Sequence, residues 1–112
     1  MLKVRVENLD QIAILYVQGH IVVGPEIELL RKSVASQSEA SAVVLDLRRV
    51  SRIDARGLGV LLELREQLQS IGIEFRLMNV GGLVQQILQL TCLDSVFEIS
   101  LDEEAVFAVS AV

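Results

Sequence analysis

The stretch that decides the fold runs from Ala42 to Ser70 and reads AVVLDLRRVSRIDARGLGVLLELREQLQS. Its first part, Ala42–Leu47, is almost entirely β-branched and aliphatic, which is typical of a strand covered on both faces, as in a parallel sheet. Asp54 stands where a helix N-cap is expected. From Gly57 to Ser70, leucines recur at helical spacing among Glu, Arg and Gln, which predicts an amphipathic helix.

The residues before this stretch predict a hairpin and a first helix. Apolar and charged residues alternate along Leu2–Glu7, the period of a half-buried strand, and a second apolar run follows at Ile12–Val17. The short segment Asn8–Gln11 between the two runs predicts a turn, so that the strands form an antiparallel hairpin. Pro25 suits the first turn of a helix, and apolar residues recur at helical spacing from Ile27 to Val34.

Four further elements are predicted after Gly72, which ends the long helix. They are a strand, a helix, a short strand and a last helix capped by Asp102, at Ile73–Met78, Leu83–Leu88, Val96–Ile99 and Glu103–Val112. The predicted order is therefore β-β-α-β-α-β-α-β-α, in a single α/β domain over residues 1–112. Alternating strands and helices predict a mixed, mostly parallel sheet of about five strands, with an antiparallel edge strand from the hairpin and about four helices.

Composition excludes several classes of function. The formal net charge of −5 would repel a phosphate backbone, and only 4 % of the residues are aromatic, so we expect no nucleic-acid partner. No apolar run reaches the length of about 20 residues that a bilayer requires, so we expect no direct membrane insertion. The residues at the N-terminus lack the layout of a signal peptide, which favours a cytoplasmic location.

The chain has one cysteine and one histidine. Cys92 cannot form an internal disulfide, and we expect it to be a small core residue rather than a nucleophile. His20 has no Cys, Asp or Glu close in sequence to complete a metal or catalytic site. We therefore expect no cofactor, no metal and no enzymatic activity.

The segment Val43–Leu62 resembles the STAS domain family, the anti-sigma factor antagonists and their relatives. In that family a hydrophobic strand and a short loop precede the motif Asp-Ser-Ser/Thr-Gly-Leu/Val-Gly, which opens an amphipathic helix; here the matching residues are Asp54–Gly59. Gly19 stands where the family has its Gly-Glu-Leu-Asp turn, and Leu90–Phe97 resembles the family's Thr-Gly-Leu segment before the last strand. The resemblance covers nearly the whole chain.

The resemblance implies a domain that binds another protein and is regulated by phosphate. In the family's best-known members a partner kinase, itself an anti-sigma factor, phosphorylates the Ser directly after the Asp. The phosphate breaks the complex, because it adds negative charge in the middle of a docking surface. The implied partner of this chain is thus a kinase-type anti-sigma factor that contacts the start of the helix after Asp54.

The chain departs from the family at the phosphorylated position. The residue after Asp54 is Ala55, which has no hydroxyl, and the turn after Gly19 lacks both acidic residues. We therefore predict binding without a phosphorylation switch. The predicted partner-binding surface lies around the helix start and consists of His20, Val22, Asp54, Ala55, Arg56, Gly57 and Leu58. For Leu58 the leucine stripe of the helix favours a position in the core instead.

Several alternatives stay open. Arg56 either pairs with Asp54 or Glu63, or anchors an acidic partner. The chain could also be a STAS-like accessory subunit that binds the ATPase of an ABC-type lipid transporter through the same helix. A third hypothesis is a nucleotide-binding regulatory domain, with phosphate at the helix start Asp54–Gly57. The exposed edge of the opening hairpin also permits a homodimer.

Overall fold

A computed structural model of the protein describes residues 2–100. The strands are β1 (Leu2–Leu9), β2 (Ile12–Ile21), β3 (Ala42–Ile53), β4 (Glu74–Met78) and β5 (Glu98–Ser100). The helices are α1 (Ile27–Ala35), α2 (Ala55–Ser70) and α3 (Gly82–Leu90), and a short 3-10 turn at Leu93–Ser95 precedes β5. The order of elements confirms the prediction as far as β5. The predicted last helix, at 103–112, lies outside the described residues.

All five described strands belong to one sheet, in the order β1-β2-β3-β4-β5. β1 pairs antiparallel with β2, and each following pair of neighbours is parallel. Each parallel connection carries one helix and returns to the adjacent strand. The predicted mixed, mostly parallel sheet with an antiparallel edge strand is confirmed.

The opening hairpin turns more tightly than the sequence predicts. Leu9 pairs with Ile12, so the turn consists of Asp10 and Gln11 alone, with φ of 49° and 69°. Two consecutive residues with positive φ form the kind of turn whose twist matches that of the flanking strands. The predicted turn at 8–11 is therefore too long by two residues, because Asn8 and Leu9 still belong to β1.

The pairing between β2 and β3 has two different parts. In the first, which we call the regular segment, Ile12–Tyr16 pairs with Ala42–Asp46 residue for residue. In the second, which we call the bulged segment, Gln18–Ile21 pairs with Arg49–Ile53, with one register shift before this part and one inside it. Each shift adds one residue to β3 relative to β2, as in a β-bulge.

The added residues change which side chains of β3 face the core. Every residue of β3 up to Leu47 is buried, but beyond it only every third residue is, at Val50 and Ile53. The intervening pairs, Arg48–Arg49 and Ser51–Arg52, are exposed. The predicted end of the strand at Leu47 is wrong, because the bulges interrupt the continuous burial of its side chains while the strand itself continues to Ile53.

The core lies mainly between one face of the sheet and the helices. Its largest cluster includes the fully buried Leu15, Leu45 and Leu61, one from each of β2, β3 and α2. A smaller cluster on the opposite face of the regular segment centres on Ile14 and Val44. Each such side chain stabilises the fold by about 1.5–3 kcal/mol. None of the helices within residues 2–100 has the length and apolarity needed to span a bilayer.

The end of α3 holds a residue with an unfavourable backbone conformation. Cys92 follows the C-cap Thr91 and has a φ of 60°, in the left-handed region. For a residue with a Cβ this conformation costs about 1–2 kcal/mol. Cys92 is also exposed, so the prediction that it belongs to the core is wrong.

Candidate functional site

The start of α2 is fixed by the carboxylate of Asp54. One carboxylate oxygen accepts a hydrogen bond from the Gly57 N–H at 2.7 Å, which confirms the predicted N-cap. The other accepts a hydrogen bond from the Val23 N–H at 3.0 Å, in the loop between β2 and α1. One side chain therefore joins the start of α2 to that loop.

Gly57 lies directly against the end of β2. A Cβ at this position would lie 2.0 Å from the backbone oxygen of Ile21, so no larger residue fits without a shift of the backbone. The Asp54 N–H donates to the same oxygen at 3.3 Å. Glycine is needed at position 57 because α2 approaches the backbone of β2 this closely.

Hydrogen bonding lowers the pKa of the Asp54 carboxyl below its ordinary value. The Val23 N–H contributes most, the Gly57 N–H contributes next, and desolvation acts in the opposite direction. Both donors stabilise the charged form of the carboxyl. Asp54 is therefore ionised at neutral pH, and its charge is committed to the two backbone donors.

Ala55 and Arg56, the first two residues of α2, are exposed to solvent. Within residues 2–100 the structure shows neither of the two ion pairs considered for Arg56. The carboxylate of Asp54 is held by backbone N–H groups, and Glu63 pairs with Arg31. The guanidinium of Arg56 therefore projects from the start of the helix, opposite to the local preference for negative charge there.

The structure does not place every predicted surface residue at the surface. Leu58 is only 6 % exposed and packs in the main core, as the leucine stripe of α2 predicts, so its side chain is not part of the exposed surface. Gly57 is buried as well. His20 and Val22 are half-buried, next to the exposed Val23.

Val23 and Arg56 also line a groove between the first halves of α1 and α2, which sequence reasoning missed. The groove has a volume of about 670 Å³. Arg31 crosses it, forming ion pairs with Glu63 of α2 and, at 3.1 Å, with Glu28 of its own helix. No pattern within one helix could have indicated this groove, since it depends on how the two helices pack together.

These residues form one continuous exposed surface. We call Val22–Gly24 together with Asp54–Arg56 the α2 surface. It combines an apolar side chain that is 56 % exposed at Val23, a methyl group at Ala55 and the cation of Arg56. Ser51 lies on β3, and its hydroxyl donates a hydrogen bond to the Gly19 carbonyl at 3.5 Å. The arrangement is suited to contact with another macromolecule rather than to nucleophilic chemistry.

Comparison with known proteins gives matches over almost the full length of the chain. The model of the STAS domain family matches residues 3–106. BtrV of Bordetella bronchiseptica, provisionally named an anti-sigma factor antagonist, is 28 % identical over 109 residues. That alignment covers 96 % of this chain and 93 % of BtrV.

Solved structures show the same fold. An anti-sigma factor antagonist from Mycobacterium paratuberculosis is similar with a TM-score of 0.82 and 23 % identity, over 98 % of this chain and 95 % of its own. The phosphorylated form of SpoIIAA, a cell fate determinant of Bacillus, gives a TM-score of 0.72 at 18 % identity, over 96 % of this chain and 99 % of its own. At these identities the similarity establishes the architecture.

Proposed function

The chain belongs to the STAS domain family, and from this premise we propose that it is a non-enzymatic, cytoplasmic anti-sigma factor antagonist. In this proposal residues 1–112 act as one domain that binds an anti-sigma factor through the α2 surface. The observation that carries the proposal is the exposure of Ala55 and Arg56 on a helix start that Asp54 and Gly57 hold rigidly in place. Similar proteins from Bordetella and Mycobacterium bear the name of anti-sigma factor antagonists.

The α2 surface has the features of a protein contact. Because Asp54 is bonded to both Val23 and Gly57, little conformational entropy is left to lose when a partner binds. Arg56 supplies a planar donor group, which recognises a carboxylate through paired hydrogen bonds. Arginine is also among the residues that contribute most to interface energies. These features favour a partner that places an acidic side chain opposite Arg56.

Ala55 makes this contact independent of phosphorylation. In the best-known members of the family the partner kinase transfers phosphate to a hydroxyl at this position. The methyl group of Ala55 offers no oxygen to accept it. We therefore expect the complex with a kinase-type anti-sigma factor to persist in the presence of ATP and magnesium. The antagonist would then be controlled by its abundance rather than by modification.

The test is a calorimetric titration of the full chain against a kinase-type anti-sigma factor from the same genome. The variant Ala55→Glu places a negative charge where the family carries phosphate, and we expect it to weaken binding by at least about a hundredfold. Glutamate in the first turn of a helix is compatible with the helix dipole, so the variant should fold as the wild type does. A loss of affinity therefore reports on the surface and not on unfolding.

The matched control is Gln67→Glu, which adds the same charge at an exposed position of the same helix. Position 67 lies about 18 Å along α2 from position 55, at 1.5 Å per residue. The control should bind as the wild type does. Unchanged affinity of Ala55→Glu, or binding to a transporter ATPase in place of the anti-sigma factor, would contradict the proposal.

A second arm restores the hydroxyl with Ala55→Ser. Without ATP this variant should bind with unchanged affinity, because serine adds only one oxygen to the surface. With ATP and magnesium the partner should transfer the γ-phosphate to the new hydroxyl, and the complex should dissociate. A serine variant that binds but is never phosphorylated would rule out a kinase-type partner.

A further inference from the structure

A basic concavity lies across β1, β2 and β3, apart from the α2 surface. It has a volume of about 470 Å³. Four cationic side chains line it, those of Lys3, Arg5, Arg48 and Arg49. Tyr16, Gln18 and Asp46 also belong to its lining. The chain as a whole carries a net charge of −5, so this concentration of positive charge runs against the overall balance.

Strand geometry brings the cations together on the sheet face away from the helices. In β1, Lys3 and Arg5 flank Val4, which packs against the core on the helix side. Side chains alternate along a strand, so the two cations point to the opposite face. In β3 the first register shift leaves Arg48 and Arg49 exposed in succession, whereas a regular strand would turn one of them inward.

Among the residues that the structure describes, three of the four cationic side chains have no ion-pair partner. Arg5 lies 3.5 Å from the carboxylate of Glu7, and its guanidinium lies 4.2 Å above the ring of Tyr16. Within the described part of the chain, Lys3, Arg48 and Arg49 form no ion pair. The cation–π contact fixes Arg5 at the wall of the concavity, where it is already positioned for a ligand.

The carboxylate that lines the concavity cannot neutralise these cations fully. One oxygen of Asp46 accepts a hydrogen bond from the backbone N–H of Arg48 at 2.8 Å, and the other accepts one from the Asn79 side-chain amide at 3.0 Å. The residue is only 6 % exposed. Its hydrogen-bonding capacity is therefore directed at these two donors, and the guanidinium groups face solvent.

We propose that this concavity binds an oligophosphate anion, either free or as the phosphate chain of a nucleotide. Guanidinium groups match phosphate oxygens through paired hydrogen bonds, and two adjacent arginines can hold successive phosphates. A bound polyanion also relieves the repulsion among the four cations. The volume lies within the range of small-molecule sites, about 300–1,000 Å³. This site is distinct from the helix start at Asp54, where the sequence alone suggested phosphate.

The test is a calorimetric titration of the full chain with sodium tripolyphosphate at low salt. We expect saturable binding at one site per chain, weakened when the salt concentration is raised from about 50 to about 500 mM. The double variant Arg48→Gln with Arg49→Gln should weaken binding about tenfold or more, because each lost guanidinium removes charge-assisted hydrogen bonds. Absence of saturable heat with the wild-type chain would overturn the proposal.

The matched control also removes two positive charges, by Lys32→Gln with Arg65→Gln on the helices. This variant should bind tripolyphosphate as the wild type does. An equal loss in both double variants would mean that the anion senses only net charge, which would overturn the proposed site. A loss caused by Arg56→Gln and not by the β3 variant would place the anion at the start of α2 and would overturn it too.

Parallel titrations with ATP identify the source of the phosphate chain. Equal affinities for ATP and tripolyphosphate would support a site that reads the phosphate chain alone. Tighter binding of ATP, lost in the same β3 variant, would support a nucleotide as the ligand. None of these titrations contains an anti-sigma factor, so their outcome is independent of the proposed function.

Discussion

The regular and bulged segments are two parts of the same strand pair, but they have different structural roles. In the regular segment β2 and β3 pair without interruption, and every β3 side chain is buried. Around the bulged segment β3 carries two extra residues, exposes Arg48–Arg49 and Ser51–Arg52, and ends directly before Asp54. The first part builds the core, and the second leads to both surfaces for which we propose a ligand.

The difference shows that irregular strand pairing can expose charged side chains at the surface without disturbing the fold. A bulge changes the facing of side chains over a few residues and leaves the hydrogen-bonded sheet on either side intact. Substitutions at the end of the bulged segment should therefore act through close backbone contacts and capping. Substitutions of the buried side chains in the regular segment should alter stability and leave binding unchanged.

The largest effect is expected from Gly57→Ala, where α2 meets the end of the bulged segment. The new Cβ would lie 2.0 Å from the Ile21 oxygen, and a backbone atom cannot move aside cheaply. We expect the free energy of unfolding to fall by about 3 kcal/mol, measured by urea denaturation.

Gly59→Ala, two residues further along the same helix, is the matched control. A Cβ there meets no atom within 4 Å, so alanine should stabilise the helix by about 0.5–1 kcal/mol. If both variants destabilise the chain equally, the close approach of α2 to β2 is not the reason that position 57 needs glycine.

A smaller effect, dependent on pH, is expected at Asp54. Its pKa is lowered in the folded state, so its contribution to stability is full above the unfolded pKa and is lost as the pH falls through the folded pKa. Asp54→Ala should therefore be less stable than the wild type at neutral pH, by less than Gly57→Ala, and the difference should shrink on acidification. Urea denaturation at a series of pH values measures this difference.

Asp54→Asn separates charge from hydrogen bonding at the same position. The amide oxygen still caps the Gly57 N–H, but the amide nitrogen cannot accept a bond from the Val23 N–H, so we expect a stability between those of the wild type and Asp54→Ala. The amide does not titrate, so the acid-dependent part of the difference should be absent. An alanine variant with the same deficit at every pH would contradict the assignment of the lowered pKa to this contact.

The smallest effect is expected at Cys92, which lies far from the bulged segment in the chain. Its φ of 60° suits glycine, the residue that the family's Thr-Gly-Leu segment carries there. Relief of the strained backbone outweighs the greater entropy of glycine in the unfolded chain, so Cys92→Gly should stabilise the fold by about 0.5 kcal/mol. A loss of stability, measured by urea denaturation, would show that the thiol makes a contact that matters.

Much of the fold could be predicted because local patterns and tertiary packing agree in the regular segment. The nearly continuous apolar run Ala42–Leu47 and the helical leucine spacing after Gly57 each reflect burial that the structure confirms. The N-cap at Asp54 could be predicted for the same reason, since a cap is formed by residues close in sequence.

The rest could not be predicted because it depends on contacts between elements. Beyond Leu47 continuous burial gives way to burial of every third residue, and only the pairing with β2 shows that this is a bulged strand and not a loop. The bond from Val23 to Asp54 spans 31 residues and leaves no trace in either segment.

The most direct measurement of the central claim is an NMR map of backbone amides during titration with the anti-sigma factor. We expect the largest chemical-shift changes at Val22–Gly24 and Ala55–Gly57, with the amides of Ile12–Tyr16 and Ala42–Asp46 unchanged. Changes concentrated in the regular segment or at the hairpin turn Asp10–Gln11, with none at the start of α2, would contradict the account.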